Sequence, residues 1–310
     1  MDFYLLTALT QTFRTACRKL AVLLCFIMFF ILPKAWGDHA ESITQLHRGE
    51  KAAETGRLLF NLDFKTQGVN NISCSSCHQA SRSFASSKQF NRTFTGQATR
   101  YNAPALVRLN HQIVFGIERQ DPNLVNQIRH CFQNNMNVTP AKLLFVLQSD
   151  DVLKTNFNQL FGRLSAGSAY QVIAQYLLDL EFSESKYDQF LNGDTKALSE
   201  EERAGYQLFM EHGCNHCHSG SELGGLTTAP VQINNEKVWR KVPTLRNIAF
   251  TAPYLHDGRE ISLINTIDFM AKTYSYRALS QDEADKIARF LSTHSSSISD
   301  SSGEVFRAPH

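Results

Sequence analysis

The chain has 310 residues, 43% of them hydrophobic and 19% charged, with 22 phenylalanines, a globular composition that excludes collagen-like and disordered classes. Its length accommodates two domains of ordinary size, each able to bury its own core. The formal charge of +2 belongs to the N-terminus: removing residues 1–37 takes away Arg14, Arg18, Lys19, Lys34 and Asp2 and leaves −1, which excludes a nucleic-acid partner, because phosphate binding needs a clustered cationic face.

In chain order, Arg14, Arg18 and Lys19 precede an apolar run, Leu20–Leu32, and small residues at Ala35 and Gly37, the pattern of a secretory signal over residues 1–37, cut after Gly37. The alternative is an uncleaved anchor, but thirteen apolar residues fall short of the roughly 20 that span a bilayer. Lipid attachment at Cys25 would require a small residue where Leu24 stands. Export delivers the chain to the periplasm, an oxidising compartment. Cys17 and Cys25 leave with the signal, and Cys74, Cys77, Cys131, Cys214 and Cys217 remain.

An amphipathic helix ending in Gly56-Arg57-Leu58-Leu59-Phe60 then leads to Cys74-Ser75-Ser76-Cys77-His78. This is C-x-x-C-H, in which two thiols form thioethers to haem vinyl groups and the adjacent histidine ligates iron. A turn at Pro104-Ala105-Leu106 and a helix start at Leu124-Val125-Asn126-Gln127-Ile128 follow, then His130 and Cys131. Ala141–Leu147, Tyr170–Leu180 and Tyr187–Leu191 have helical apolar spacing, which predicts a helical connector.

The pattern then repeats. A helix with Ser199 and Glu202 at capping-box spacing ends in Gly205-Tyr206-Gln207-Leu208-Phe209, before Cys214-Asn215-His216-Cys217-His218. Pro243-Thr244-Leu245 and Leu263-Ile264-Asn265-Thr266-Ile267 follow in register with the first copy at an offset of 139. Ser280 and Glu283 cap a last helix through Leu291, and a Ser-rich tail, 296–310, reads as disordered. Three other readings compete with haem: a redox-active C-x-x-C, a paired-cysteine zinc site, and a disulfide framework. Zinc ribbons space their pairs by about 15–20 residues, whereas 136 residues separate Cys77 from Cys214. None of the three requires both trailing histidines, and His216 reads as an exposed spacer.

Strand signals are few, so the expected fold is all-α: two cytochrome c-like domains, 38–165 and 166–295, each with one covalently bound haem c, joined by the helical connector. Met270, 52 residues after His218, is a candidate second iron ligand, since a thioether opposite histidine raises the reduction potential; beside Phe269 and Ala271 it reads equally as core packing. The offset places Cys131 where Met270 sits, as an iron ligand, a hydrogen-bonding partner of peroxide, or an inert buried thiol.

These residues resemble the bacterial di-haem cytochrome c peroxidase family, which includes the MauG-type enzymes, from about Gly49 to Thr293. The resemblance is carried in the second half by Leu198-Ser199, Glu202, Gly205, Leu208-Phe209, the haem motif, Pro243-Thr244-Leu245-Arg246-Asn247 and Ala252-Pro253-Tyr254-Leu255-His256-Asp257-Gly258, with Met270 fourteen residues past His256. It implies a high-potential electron-entry haem at His218 and Met270 and a low-potential, peroxide-reacting haem at His78. It also implies a calcium ion held at the positions of Asn102, Thr251 and Pro253, an oxygen donor set that suits calcium.

The partners implied are hydrogen peroxide, a small electron donor (a cytochrome c or a cupredoxin), a protein substrate in MauG-type members, and a second copy of the chain in a homodimer. Peroxide reduction is the leading expectation; MauG-like oxidation of a partner protein and a non-catalytic electron carrier are the alternatives. The catalytic positions depart from the family pattern. Gln127 matches its distal glutamine, but the acid–base glutamate ten residues on is Asn137, which cannot carry the proton. His130 is the candidate substitute. Phe84–Arg100 contains no histidine to close the resting site, the tryptophan between the haems falls at Ile117, the distal proline is Cys131, and Trp239 is the one tryptophan left after signal removal.

Overall fold

The structure is a computed structural model that describes residues 49–64, 72–117, 120–233, 236–275, 277–300 and 302–306. The signal expected over residues 1–37 lies outside the described residues.

One packing device is used twice. Helix α1 (Glu50–Phe60) crosses α6 (Ala166–Leu178) at Gly56, where an added Cβ would lie 1.9 Å from the Val172 carbonyl oxygen and 2.8 Å from Tyr176 Cβ. Helix α8 (Glu200–Glu211) crosses α10 (Gln281–Ser292) at Gly205, where an added Cβ would lie 2.0 Å from the Lys286 carbonyl oxygen and 2.9 Å from Phe290 Cβ. A bare Cα permits these approaches; any side chain forces the helices apart. Aromatic rings lock both crossings: Phe60 meets Tyr176 at 5.4 Å between centroids, and Phe290 meets Tyr206 at 5.2 Å and Phe209 at 5.5 Å. The capping boxes expected at Ser199/Glu202 and Ser280/Glu283 are both made.

Between α1 and α6 run α2 (Cys74–Cys77), α3 (Leu124–His130), a π-type turn (Cys131–Asn135), α4 (Pro140–Gln148) and α5 (Asp151–Phe161). Strand β1 (Glu181–Phe182) and α7 (Lys186–Leu191) lead into the second copy, which adds α9 (Leu263–Tyr274). Because α6 is the crossing partner of α1, a domain break at 165/166 would cut the first helix pair from its haem motif; α6 belongs with residues 50–135 in packing. Residues from Gly49 onward cluster as one compact unit.

The helix-rich architecture expected from the sequence is present, with two additions. An antiparallel hairpin, β2 (Thr228–Ile233) and β3 (Glu236–Lys241), pairs Pro230 with Trp239 and Val231 with Val238. The other is a correction: the tail expected to be disordered from residue 296 is ordered over its described residues. Strand β4 (Ile298–Ser299) pairs with β1 and with β5 (Val305–Phe306). Asn247 anchors it, donating from Nδ2 to the Ser296 carbonyl at 2.8 Å and accepting from the Ser296 amide at 3.0 Å. Composition pointed to disorder; long-range partners supply the missing order.

His294 closes the core beside α10. It is fully buried, its ring 4.1 Å from Tyr187, and its Nδ1 donates to the Phe290 and Leu291 carbonyls at 3.1 and 3.0 Å. Burial, aided by the nearby Arg246 charge, pushes this imidazole down from 6.5 to about 3. The unfolded ring takes up a proton near pH 6.5 and the folded ring does not, so the stability is present above 6.5 and is lost as pH falls towards 3.

Two outcomes follow from this packing. Gly56→Ala and Gly205→Ala each lower stability by about 3 kcal/mol through overpacking, read as a fall in the urea midpoint. His294→Phe flattens the acid limb of the stability curve between pH 6.5 and about 3; an unchanged limb by urea titration would contradict the buried neutral ring.

Candidate functional site: two C-x-x-C-H centres

Ser73 caps α2 through a capping box with Ser76, which winds Cys74–Cys77 into a single helical turn and sets His78 at its end. His78 Nδ1 lies 2.9 Å from the Phe84 carbonyl and 3.0 Å from the Pro104 carbonyl. Carbonyls only accept, so Nδ1 carries the proton and Nε2 keeps its lone pair, the tautomer that a metal ligand requires.

The second centre is built the same way. Gly213, at φ +71°, turns the chain out of α8 into the turn Cys214–His216, and His218 Nδ1 lies 3.0 Å from the Leu223 carbonyl, with the Pro243 carbonyl as its second acceptor. Phe84 and Leu223, like Pro104 and Pro243, are 139 residues apart. The duplication read in the sequence thus extends to the hydrogen bonds that orient both histidines. Burial lowers both imidazoles against the help of these carbonyls, so both stay neutral ligands at neutral pH. His216 is exposed and folds back on Gly213.

Burial raises the Cys74, Cys77 and Cys214 thiols, Cys214 to about 11. The pairs fit haem attachment: two thiols and one histidine with its outer nitrogen committed, twice. Among the described residues no group of three or more His, Cys, Asp or Glu side chains could hold a metal ion, so the zinc reading lacks its ligand cluster. A second sign of fit is a set of buried guanidinium nitrogens, Nε of Arg82, Arg108 and Arg240, without hydrogen-bond partners.

Met270 lies half-buried on α9, with Ile267 and Ala271 buried beside it. Tyr274, one turn on, feels Cys217 electrostatically and donates to the Pro230 carbonyl at 3.3 Å, so this end of α9 lies against the second motif. Cys131 stands in the same relation to the first motif, electrostatically coupled to Cys74 and Cys77. Its sulfur accepts from Gln127 Nε2 at 3.4 Å and Asn135 Nδ2 at 3.7 Å, and burial pushes its thiol up to about 11.

The remaining candidates separate. Gln127 Oε1 is buried without a partner, and Gln127 packs so closely over Gly116 that a Cβ there would lie 2.4 Å from that oxygen. His130 is half-buried, its Nδ1 3.0 Å from Asn134 Nδ2, and Asn137 is exposed at φ +58°. Gln127 and Cys131 are joined by their hydrogen bond. Ile117 is half-buried in the loop closed by Phe115 and Asp121, and the Trp239 ring is 60% exposed, so the indole does not fill the Ile117 position.

The first and second copies meet along a seam. The Asn102 amide donates to the His256 carbonyl at 3.1 Å and its Nδ2 to the Lys88 carbonyl at 2.7 Å, while Arg82 Nη2 donates to the Ala252 carbonyl at 2.5 Å. Asn102 therefore lies against the loop that carries Thr251 and Pro253, with both Asn102 and Thr251 buried. Lys241, pushed down to about 8 by burial, donates to Gln112 Oε1 and to the Val114 carbonyl. Beneath the seam Arg246, 2% exposed, binds Asp188 at 2.7 Å, and Arg108 reaches Asp188 at 3.4 Å and Glu222 at 3.6 Å. Against the upward push of burial, hydrogen bonds from Arg246 and Ser185 hold Asp188 at about 2. Sequence reasoning found the two motifs and named Arg246 only within the resemblance, without its buried ion pairs, and it did not find Arg108, Phe84 or Leu223; the 139-residue register was the one signal that could have led to the carbonyls.

Comparison with known proteins agrees with this construction. The di-haem cytochrome c peroxidase family matches residues 50–196. The cytochrome c551 peroxidase of Nitrosomonas europaea is 29% identical over 264 residues, 78% of this chain and 79% of that protein. The methylamine utilization protein MauG of Methylorubrum extorquens is 24% identical over 245 residues, 72% of this chain and 69% of that protein. Among solved structures, a MauG-like protein associated with microbial copper homeostasis superposes with a TM-score of 0.66 at 22% identity, covering 80% of this chain and 90% of its own.

The double variants Cys74→Ala/Cys77→Ala and Cys214→Ala/Cys217→Ala each lose one covalent haem and keep the other, read by mass spectrometry and haemochrome absorbance. A wild-type protein with no haem adduct would refute the assignment.

Proposed function

Because the chain belongs to the di-haem cytochrome c peroxidase and MauG family, we propose that it is an exported, periplasmic di-haem cytochrome that reduces hydrogen peroxide to water with electrons from a small redox protein. The observation that carries this reading is the paired histidine geometry: two buried imidazoles, each with Nδ1 spent on two backbone carbonyls and Nε2 free.

Haem bound at the two motifs supplies the one-electron couples and the iron chemistry that peroxide reduction requires. The chain's own contributions are unequal. His218 and Met270 hold the electron-entry centre, a nitrogen–thioether pair that favours a high potential. His78 holds the peroxide-side centre. There the Gln127 amide would orient peroxide by hydrogen bonding; its Oε1, buried without a partner, supports that role. Proton delivery falls to water and to His130, since Asn137 is exposed and carries no proton. Asn102, Thr251 and Pro253 would supply the oxygen atoms for a calcium ion.

The test is oxidation of reduced cytochrome c by hydrogen peroxide, with calcium present and after prior one-electron reduction. Turnover is expected, and Gln127→Leu lowers kcat/KM on the order of 10²-fold, as loss of one preorganised hydrogen-bonding group does; absence of turnover in the two-haem protein refutes the reading.

One observation favours a second reading, that of an electron carrier. Cys131 occupies the register position of Met270, and its sulfur is held by two amide donors; as a sixth ligand it would close the His78 centre. Under that reading both oxidised centres are low-spin by EPR and Cys131→Ala turns one high-spin. Under the peroxidase reading Cys131→Ala leaves the spectrum and turnover unchanged.

A further inference from the structure

Two arginines at the seam carry a charge that no described residue neutralises. Arg82 stands four residues after His78, and its guanidinium reaches across to the Ala252 carbonyl at 2.5 Å. Arg240, on β3, donates from Nη1 to its neighbour's Trp239 carbonyl at 3.0 Å and from Nη2 to the Tyr101 hydroxyl at 3.5 Å. Nε of each is buried without a hydrogen-bond partner. Both arginines are half-buried, and a buried donor nitrogen left without an acceptor costs free energy. Among the described residues neither forms an ion pair, unlike Arg108 and Arg246, which share Asp188 and Glu222.

Both charges converge on one loop. Burial raises the Tyr254 phenol and the Arg82 charge opposes it; burial lowers the His256 ring and Asp257 opposes that, while Arg259 and Arg240 add to the lowering. Among the described residues the carboxylate felt by His256 is Asp257; Arg259 binds its Oδ2 at 2.9 Å and its Oδ1 is buried without a hydrogen-bond partner.

The position of Arg240 is informative. It is separated from Tyr101 by 139 residues, the offset of the duplication, so the two are equivalent positions of the two copies and they meet face to face. Each stands three residues before the proline whose carbonyl orients a motif histidine, Pro104 for His78 and Pro243 for His218. The seam therefore adjoins both histidine frames. A haem brings two propionate carboxylates, and a guanidinium Nε–Nη edge is the donor pair that carboxylates bind in bidentate fashion.

We propose that Arg82 and Arg240 are the counter-cations of haem propionates at the seam, and that each sets the potential of the haem it binds. The inference rests on the di-haem reading above. A cation beside a propionate favours the reduced iron, because reduction removes one positive charge from the centre. Deleting it lowers the midpoint potential without removing an iron ligand or an attachment thiol.

The experiment is a spectropotentiometric titration of the holoprotein and of Arg82→Gln, Arg240→Gln and Arg240→Lys, each first shown by mass to carry two haems. Each Gln variant is expected to lower the reduction equilibrium constant of one haem by about tenfold, equivalent to about 59 mV for a one-electron couple. Arg240→Lys is expected to restore more than half of that shift, and Arg57→Gln, which removes an ion-paired arginine on α1, to leave both potentials in place. Unchanged midpoints in both Gln variants, or a Lys variant displaced as far as the Gln variant, would overturn the proposal. A wild-type protein without two haems would instead overturn the functional reading on which it rests.

Discussion

A histidine that presents Nε2 to a metal must place its Nδ1 proton elsewhere, and in a buried site only a carbonyl or carboxylate can take it. Much of this structure follows from meeting that requirement twice. Residues 79–84 and 219–223 turn back to offer one carbonyl, and the segments ending at Pro104 and Pro243 offer the other. Ser83 and Phe84 adopt φ of 54° and 58°, and Leu223 adopts 47°, a conformation unfavourable for residues with a Cβ. The surroundings hold it: Phe84 packs against Phe60, Tyr176 and Phe306, and Ser83 accepts a hydrogen bond from Asn247. The C-terminal strands thereby brace the first histidine although they close the second copy in sequence.

The seam between the copies is polar where most protein cores are not. Arg246 is buried and its partner Asp188 partly so, and Glu222 beside them has one oxygen without a hydrogen bond. Buried ion pairs return little net stability, but breaking one partner is costly, so such a network fixes how the parts may be arranged more than it strengthens them. Arg108 from the first copy enters this network at the loop that carries His218's acceptor. Under the proposed function the two centres would exchange electrons across a fixed separation, and a polar network with one allowed pairing specifies it better than an interchangeable apolar contact.

Particular residues show where reading from sequence succeeded. Cys74-Ser75-Ser76-Cys77-His78 and Cys214-Asn215-His216-Cys217-His218 were legible because their chemistry is local: two thiols and a base within one turn. The glycines of Gly-x-x-Leu-Phe were legible as a repeat, though their purpose, the contacts with the Val172 and Lys286 carbonyls, belongs to partner helices more than 80 residues away. The distal pocket was only half legible. Gln127 and Cys131, one helical turn apart, come together as their spacing allows; Asn137 is exposed beyond the π-type turn Cys131–Asn135, where the first-copy helix gives out and its second-copy counterpart continues.

The sequence by itself determined the two attachment motifs, the 139-residue register of the segments that follow them, the capped helices and Met270 as a candidate ligand, because each depends on residue type and short-range spacing. Only the tertiary structure decided that α6 pairs with α1, that the Ser-rich tail is a strand support, that Phe84 and Leu223 orient the histidines, and that Arg82 and Arg240 face the seam with no carboxylate partner among the described residues. Those features are carried by backbone carbonyls, bare Cα positions and unpaired charges, and such groups acquire meaning only from what folding places against them.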